Sequence, residues 1–391
     1  METVHVLHVS DTHLGYRQYG LYERELDIYR VWGEIVDHAV RERVDLVVHS
    51  GDMFDSSRPP PQAIREAVRG LQKLRSHGIP VVAVMGDHDV PKRRQLPPNA
   101  LMDELGLART LGLRGLYEQA RVRTRSGLEV VVAGVSNQRG PGARQRLLDA
   151  LQRLTTVDGS TAVLVLHQTL QEVAPEYELG LGELPRGYSY YALGHIHLHR
   201  GWRLGEAYAA YPGSPEALRV DEARQQPERY VLLAELKPSA TVSLQRIRLE
   251  TPRPQIVEEV EYTGGEELRR RLLGLRERLA RYPPERRPLL HLTLRSVPRG
   301  EKTRLYRLAE NLFRNVTLAY RLNIDVYEEE LPRSLQNPGQ IQVEEMLREL
   351  LRDPVLVQLA QRIIDIAGSG GTKSERSDEV LREIRKTFGL E

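Results

Sequence analysis

Five apolar runs of the sequence each end in a carboxylate or an imidazole. HVLHVSDTH ends in Asp11 and His13, DLVVHSGD in Asp52, PVVAVMGDHD in Asp87 and His88, AVLVLHQ in His167, and YYALGHIH in His195 and His197. The chain has no cysteine, so a metal here would be held by oxygen and nitrogen alone. Ligands of open α/β sheets gather beyond the carboxyl ends of the strands, and the five termini can therefore meet in one crevice. Taken singly, each residue has a plain structural explanation: Asp11, Asp52 or Asp87 as a helix cap, His167 as a hydrogen-bonded core histidine. The coincidence of all five favours a shared centre, because a glycine directly precedes Asp52, Asp87 and His195, where backbone must come close. The donors suffice for two divalent ions, and ion pairs about 3.5–4 Å apart clamp a phosphoryl group and activate water. Phosphoester hydrolysis is the chemistry these residues point to. Asp89 reads as the residue that orients the turn after GDH, and His5, His8, His49 and His199 as packing or supporting residues.

The frame that positions them is legible as periodicity. Short apolar runs (4–9, 46–49, 81–85, 130–135, 162–166, 190–193) alternate with amphipathic stretches such as ERELDIYRVWGEIVDHAVRER and PQAIREAVRGLQKLRSHG up to about residue 250. Pro61 suits the first turn of the second helix and Gly78 its stop. ARVRTRSGLEVVVAGV, and ERYVLLAEL followed by ATVSLQRIRL, have hairpin spacing, so the expected class is α/β with helix-flanked mixed sheets. TPRPQ at 251–255 marks a boundary, after which residues 251–330 read as β-α-β-α-β, a small α+β domain. Residues 331–340, LPRSLQNPGQ, read as a linker. Residues 341–391 read as a helix-loop-helix segment that either docks on a partner or folds back on the main body, with Asp353 and Pro354 restarting one helix and Ser377 capping the last. Its apolar faces include Leu347, Leu351, Leu359, Ile363, Ile384 and Phe388.

Composition narrows the class further. A chain of 391 residues with 40% hydrophobic and 28% charged residues is expected to hold two or three globular domains. No run of about 18 apolar residues and no signal-peptide pattern is present, so a cytoplasmic location without membrane spans is expected. Lysine occurs only at 73, 92, 237, 302, 373 and 386, and arginine carries the rest of the positive charge. A net charge of +2 does not itself call for nucleic acid, so that argument rests on local clusters. Arg17 follows the first motif, Arg58 the second, and Lys92, Arg93 and Arg94 the third, where their loops would flank the crevice and contact phosphates. Tyr16 and Tyr19, beside Arg17, read as packing residues rather than a stacking platform for a base.

The ordered words DTH, GDMFD, GDHD, an isolated His after an apolar strand, and GHIH resemble those of the calcineurin-like metallophosphoesterases. SDTHLGYRQY, HSGDMFDSSRPPP, LGLGELPRGYSYYALGHIH and AAYPGSPEALRVDE narrow the resemblance to the DNA double-strand break repair nucleases of the meiotic-recombination-eleven/SbcD family, in their archaeal form. It covers most of residues 1–250; the later regions are similar in layout. The resemblance implies an enzyme with two Mn²⁺ per subunit. One ion would be held by Asp11, His13, Asp52 and His197, and the second by Asp52, Asp87, His167 and His195. It implies that His88 contacts the transition state and protonates the leaving group. It further implies a homodimer that acts on DNA ends with an SMC-like ABC ATPase of the Rad-fifty/SbcC type, as a 3′ to 5′ duplex exonuclease and single-strand endonuclease. Two positions depart from the family pattern: Asp87 stands where Asn is usual and Asp55 where a His is common. The alternatives are a phosphoesterase acting on nucleotides or phosphoproteins, and a non-enzymatic scaffold that tethers DNA.

Overall fold

The run VHVLHV forms strand β1 (Val4–Val9), whose two faces are buried against different partners. That double burial sets the layering of the N-terminal region in the computed structural model, which describes residues 3–92, 95–124, 127–138, 140–154, 161–237, 242–327, 343–368 and 373–389. β1 pairs in parallel with β2 (Leu46–His49), β2 with β3 (Val81–Val84), and β3 with β4 (Arg109–Leu111). A second sheet follows from β5 (Tyr117–Arg123), β6 (Glu129–Val135), β7 (Thr161–His167), β8 (Tyr190–Gly194), β9 (Arg200–Leu204) and β10 (Ala207–Tyr211), in the order β5-β6-β7-β8-β10-β9. The chain then returns to the first sheet as β11 (Tyr230–Leu236) and β12 (Ser243–Arg248), completing the order β12-β11-β1-β2-β3-β4. Both expected hairpins, β5/β6 and β11/β12, are antiparallel, while β6, β7 and β8 run parallel, so each sheet is mixed.

The two sheets pack face to face. Val4, Val6, Val48 and Val84 of the first meet Val132, Val163, Val165 and Tyr190 of the second, all buried to 1% exposure or less. Each such side chain contributes about 1.5–3 kcal/mol by leaving water, which makes this interface a principal source of stability. The outer face of the first sheet, including Leu7, Val9 and Val47, is covered by α1 (Tyr22–Arg41) and α2 (Pro61–Ser76) through Ile28, Trp32, Ile35, Ala67 and Leu71. The second sheet is covered by α4 (Ala143–Arg153) through Leu147 and Leu151; α3 (Pro98–Glu104) precedes β4. His8 is buried between the sheets, bonded through Nδ1 to Tyr190 Oη and through Nε2 to Ser50 Oγ, both at 2.8 Å. Burial, reinforced by the nearby His49 and His199, pushes its pKa down to about 3, so His8 joins the sheets as a neutral cross-link.

α5 (Val220–Gln225) precedes β11. Beyond residue 250 the order is β13 (Gln255–Glu261), α6 (Gly265–Leu279), β14 (Leu289–Pro298), α7 (Lys302–Phe313) and β15 (Ala319–Tyr327), with β13-β14-β15 as a three-stranded sheet. The segment expected to be a linker, 331–340, lies outside the described residues. α8 (Val343–Leu351), α9 (Pro354–Gly368) and α10 (Lys373–Thr387) follow. Asp353 caps α9 as expected, its Oδ1 accepting from Val355 N at 2.8 Å. Ser377 is not a cap: α10 already begins at Lys373, and Arg376 within it donates to Ala367 O at the end of α9. Ser, Glu and Arg extend a helix as readily as they precede one, so the cap signal there was not unique. The chain divides into two compact units, residues 1–259 with 266–293 and 309–323, and residues 260–265 with 294–308 and 324–391.

Candidate metal centre

The carboxyl ends of β1, β2, β3, β7 and β8 bring the seven expected ligands together. Asp11, His13 and His197 form one group and Asp52, Asp87, His167 and His195 another, with the donor atoms of each group within 4.8 Å of one another. The groups meet at one atom. Asp52 Oδ2 lies 3.7 Å from His13 Nε2 and 3.4 Å from His167 Nε2. The backbone is forced to reach this arrangement: Asp11, His13, Asp52 and His195 all have positive φ (53°, 44°, 52° and 92°), a region that costs a non-glycine residue of order 1–3 kcal/mol. Glycines make the approach feasible. A Cβ on Gly51 would lie 2.3 Å from His167 Nδ1, one on Gly86 2.1 Å from Asp52 Oδ1, and one on Gly194 1.9 Å from Ser50 O.

Three of the four histidines that turn a nitrogen inward have the other nitrogen held. His167 Nδ1 donates to Ser50 O at 2.8 Å, His197 Nδ1 to Glu222 Oε1 at 2.8 Å, and His13 Nδ1 to Asp55 Oδ1 at 3.3 Å. Holding Nδ1–H leaves Nε2 as a free donor, the tautomer a metal requires. The carboxylates are aimed as well: Asp11 accepts from His195 N at 3.2 Å and Asp52 Oδ1 from His88 N at 2.9 Å. Burial works to raise the Asp52 pKa, but the charges of His167 and His13 and the His167 hydrogen bond bring it down to about 2. Asp87 is likewise opposed by burial, yet its bonds to His167 and His195 hold it well below the usual carboxylate range. The histidines respond in the opposite sense. Against burial, Asp52 and Asp87 draw His167 well above its ordinary value, and Glu222 and Asp11 raise His197. A buried pocket that pulls protons onto its imidazoles to balance its carboxylates is a pocket built for cations, and two divalent ions fit the oxygen and nitrogen donors present.

His88 sits at the rim, its ring edge-on to His13 with centroids 4.7 Å apart. Nδ1 donates to Asp55 O at 2.7 Å, and Nε2 lies 3.9 Å from Asp87 Oδ2. Burial lowers its pKa, but the Asp55 carbonyl and the Asp52, Asp87 and Asp55 charges outweigh that and raise it. Asp89 orients the turn as expected, accepting from the backbone N–H groups of Met53, Phe54 and Gly86 at 3.0–3.2 Å.

A family description, calcineurin-like phosphoesterase, matches residues 4–199, half of the chain. The chain is 31% identical to the DNA double-strand break repair protein Mre11 of Saccharolobus solfataricus, over 98% of each chain. It is 33% identical to the protein of the same name from Sulfurisphaera tokodaii, over 77% of this chain and 76% of the relative. Against that of Sulfolobus acidocaldarius it is 36% identical, over 56% of each. The chain belongs to the Mre11 family. It is thus a metal-dependent phosphoesterase, with the α/β architecture and the motif order that the sequence led one to expect.

In this Mre11-family chain the expected DNA contacts divide. Arg58 and Lys92 line a cleft of about 690 Å³ together with Asp55, Asp87, His88 and Gln95, and Arg58 Nε is held by Gln95 Oε1 at 3.1 Å. Arg17 is not among the residues lining it. It forms an ion pair with the buried Glu25 and lies over the Tyr22 ring. Arg93 and Arg94 lie outside the described residues. Tyr16 donates to Leu218 O, and Tyr19 packs under Arg321, 4.2 Å from its ring centroid. Of the apolar residues expected to face a partner, Leu347 and Leu359 are buried, Leu351, Ile363 and Ile384 half-buried, and Phe388 exposed. Leu381, which shares the apolar stripe of the last helix with Ile384 and Phe388, is exposed alongside Phe388, as are Leu350, Val355 and Ile364. The sequence reading also assigned no role to Asp55 or Glu222, the two carboxylates that fix His13 and His197. In sequence, Glu222 is an ordinary acid in the first turn of a helix, and nothing marks its partner.

Proposed function

We propose that the chain is a Mn²⁺-dependent nuclease that processes DNA ends at double-strand breaks. Asp11, His13, Asp52 and His197 would hold one ion, and Asp52, Asp87, His167 and His195 the other. The observation that carries this reading is the single carboxylate oxygen, Asp52 Oδ2, standing between the two donor groups. When bound, the ions withdraw charge from the phosphodiester and supply a nucleophile at neutral pH. The chain's own residues do the rest. Arg58 and Lys92, on the cleft wall, bind the phosphates that flank the scissile one. His88, anchored by Asp55 O through Nδ1, directs Nε2 toward the cleft and gives a proton to the departing oxygen.

The proposal extends to 3′ to 5′ exonuclease action on duplex DNA and endonuclease action on single strands, in the cytoplasm and as a homodimer. Leu96, Leu101 and Leu105, on and beside α3, are exposed apolar side chains that a second copy would cover. Among the described residues no helix is long and apolar enough to cross a membrane. Residues 1–250 act as the nuclease domain, 251–330 as a capping domain, 331–340 as a linker, and 341–391 as the segment that binds an SMC-like ABC ATPase. Purified chain with Mn²⁺ should degrade linear duplex DNA and leave nucleotides and phosphoproteins largely intact. The reverse preference would make it a small-substrate phosphoesterase, and no metal-dependent cutting at all would make it a tether.

Truncation after Glu330 should abolish co-purification with the ATPase while metal-dependent cutting of small substrates persists; continued association would return the terminal helices to the catalytic body. Replacing Asp87 by Asn tests the departure from the family pattern. The carboxylate adds a third anion to Asp11 and Asp52 around two dications, so Asp87→Asn should need more Mn²⁺ for half-maximal rate. An unchanged Mn²⁺ titration would remove Asp87 from the ligand set.

A further inference from the structure

His197 presents Nε2 toward Asp11 Oδ1, at 3.7 Å, and toward His13 Nε2, at 3.3 Å, and it can ligate there only while the proton sits on Nδ1. The residue that keeps it there is Glu222. Its Oε1 accepts from His197 Nδ1 and its Oε2 from Leu218 N, each at 2.8 Å, so both carboxylate oxygens are committed to fixed N–H donors. The segment that carries this carboxylate is pinned in turn. Glu216 Oε1 is 3.0 Å from Arg24 Nη2, and Glu216 Oε2 accepts from Arg253 N at 3.0 Å. Arg24 and Arg253 converge again on Asp27 Oδ2, at 2.8 and 2.5 Å. All four of these residues are 6% exposed or less. Breaking such a cluster leaves a buried charge uncompensated, so the cluster holds the segment in place.

We infer that Glu222 is a positioning residue for the first ion, locking His197 in its Nδ1–H tautomer from a segment that the Arg24–Asp27–Glu216–Arg253 cluster holds still. This deepens the metal-centre reading above and rests on it. Glutamine discriminates the role because an amide has one acceptor where the carboxylate has two. With its oxygen toward Leu218 N, its NH₂ faces His197 Nδ1, and the imidazole proton must move to Nε2, where it blocks ligation. With its oxygen toward Nδ1, its NH₂ opposes the Leu218 N–H, donor against donor in a buried site.

The test is Mn²⁺ binding to the full-length chain by calorimetry, with the electron paramagnetic resonance spectrum of the bound ions, for the parent, Glu222→Gln and His197→Ala. The parent should bind two ions. Glu222→Gln should weaken one site by about 10–100-fold and leave the other unchanged. Saturating Mn²⁺ should then restore kcat with the KM for DNA unaltered, which a general loss of structure would not allow. Should Glu222→Gln fail to fold, Glu216→Gln carries the test and should weaken the same site several-fold. Equal weakening of both sites, or parental affinity at both, overturns the inference. If His197→Ala loses one ion while Glu222→Gln keeps parental affinity, the inference alone falls. If His197→Ala keeps both ions, the assignment of His197 to the first ion fails and the inference falls with it.

Discussion

His88→Ala is expected to bind two divalent ions as tightly as the parent and to turn over about 10²–10⁴-fold more slowly, the range over which a general acid contributes. His167→Ala and His195→Ala, by contrast, should lose one ion and the activity together. The distinction rests on where the ring nitrogens go. His167 is fully buried, with Nε2 3.4 Å from Asp52 and 3.3 Å from Asp87, so removing it takes a donor out of the centre. His88 is exposed at the cleft wall, Nδ1 spent on Asp55 O, and its backbone N–H rather than its ring supports Asp52. A competing arrangement exists, because the ring of His88 also falls within donor distance of His13 and Asp52. Measuring bound metal and rate on the same preparation separates the two. Loss of an ion from His88→Ala would make His88 a ligand and leave the leaving group without its proton donor.

What the sequence could disclose about this site follows from where its information lies. The ligands end strands, and strands announce themselves by apolar runs, so Asp11, Asp52, Asp87, His167 and His195 were found together with the elements that carry them. The glycines beside the ligands were readable for the same reason: where a Cβ would stand about 2 Å from a neighbouring strand end or ligand side chain, only glycine fits. The bonds that Asp55 and Glu222 make to His13 and His197 were not readable, because which histidine a carboxylate orients, about 40 or 25 residues away in sequence, is settled only when the fold brings them together. Surface arginines fail for a related reason. Arg17 and Arg58 stand equally close to motifs, yet Glu25 neutralises one and Gln95 merely steadies the other. In the terminal helices, periodicity identified an apolar face but not its direction. Leu347 and Leu359 are spent on burial, and the exposed apolar surface is carried by Leu350, Val355, Ile364, Leu381 and Phe388.

Gly194→Ala should lower the thermal midpoint and empty the second ion site in one step. Gly194 closes β8 directly before His195, and an added Cβ would stand 1.9 Å from Ser50 O, 2.3 Å from Ser10 Oγ and 2.9 Å from His167 Nδ1. The serine hydroxyl can turn away, but Ser50 O belongs to the backbone at the end of β2 and is the acceptor that fixes His167. Relief therefore requires β8 and the β2 end to separate, which pulls His195 and His167 apart and breaks the bond that sets the His167 tautomer. Overpacking of a well-filled interior typically costs about 1–3 kcal/mol, and a clash with backbone belongs at or above the upper end. For a domain of this size about 3 kcal/mol corresponds to a fall of roughly 6–12 °C. Gly33→Ala is the internal comparison: it lies within α1, a Cβ there meets nothing within 4 Å, and the exchange should stabilise the helix by about 0.5–1 kcal/mol. Thermal unfolding and metal content of the two variants, taken side by side, decide the matter. A Gly194→Ala protein that melts with the parent and still binds two ions would mean that the strand ends have slack, and that the close approach of β8 to β2 does not hold the centre together.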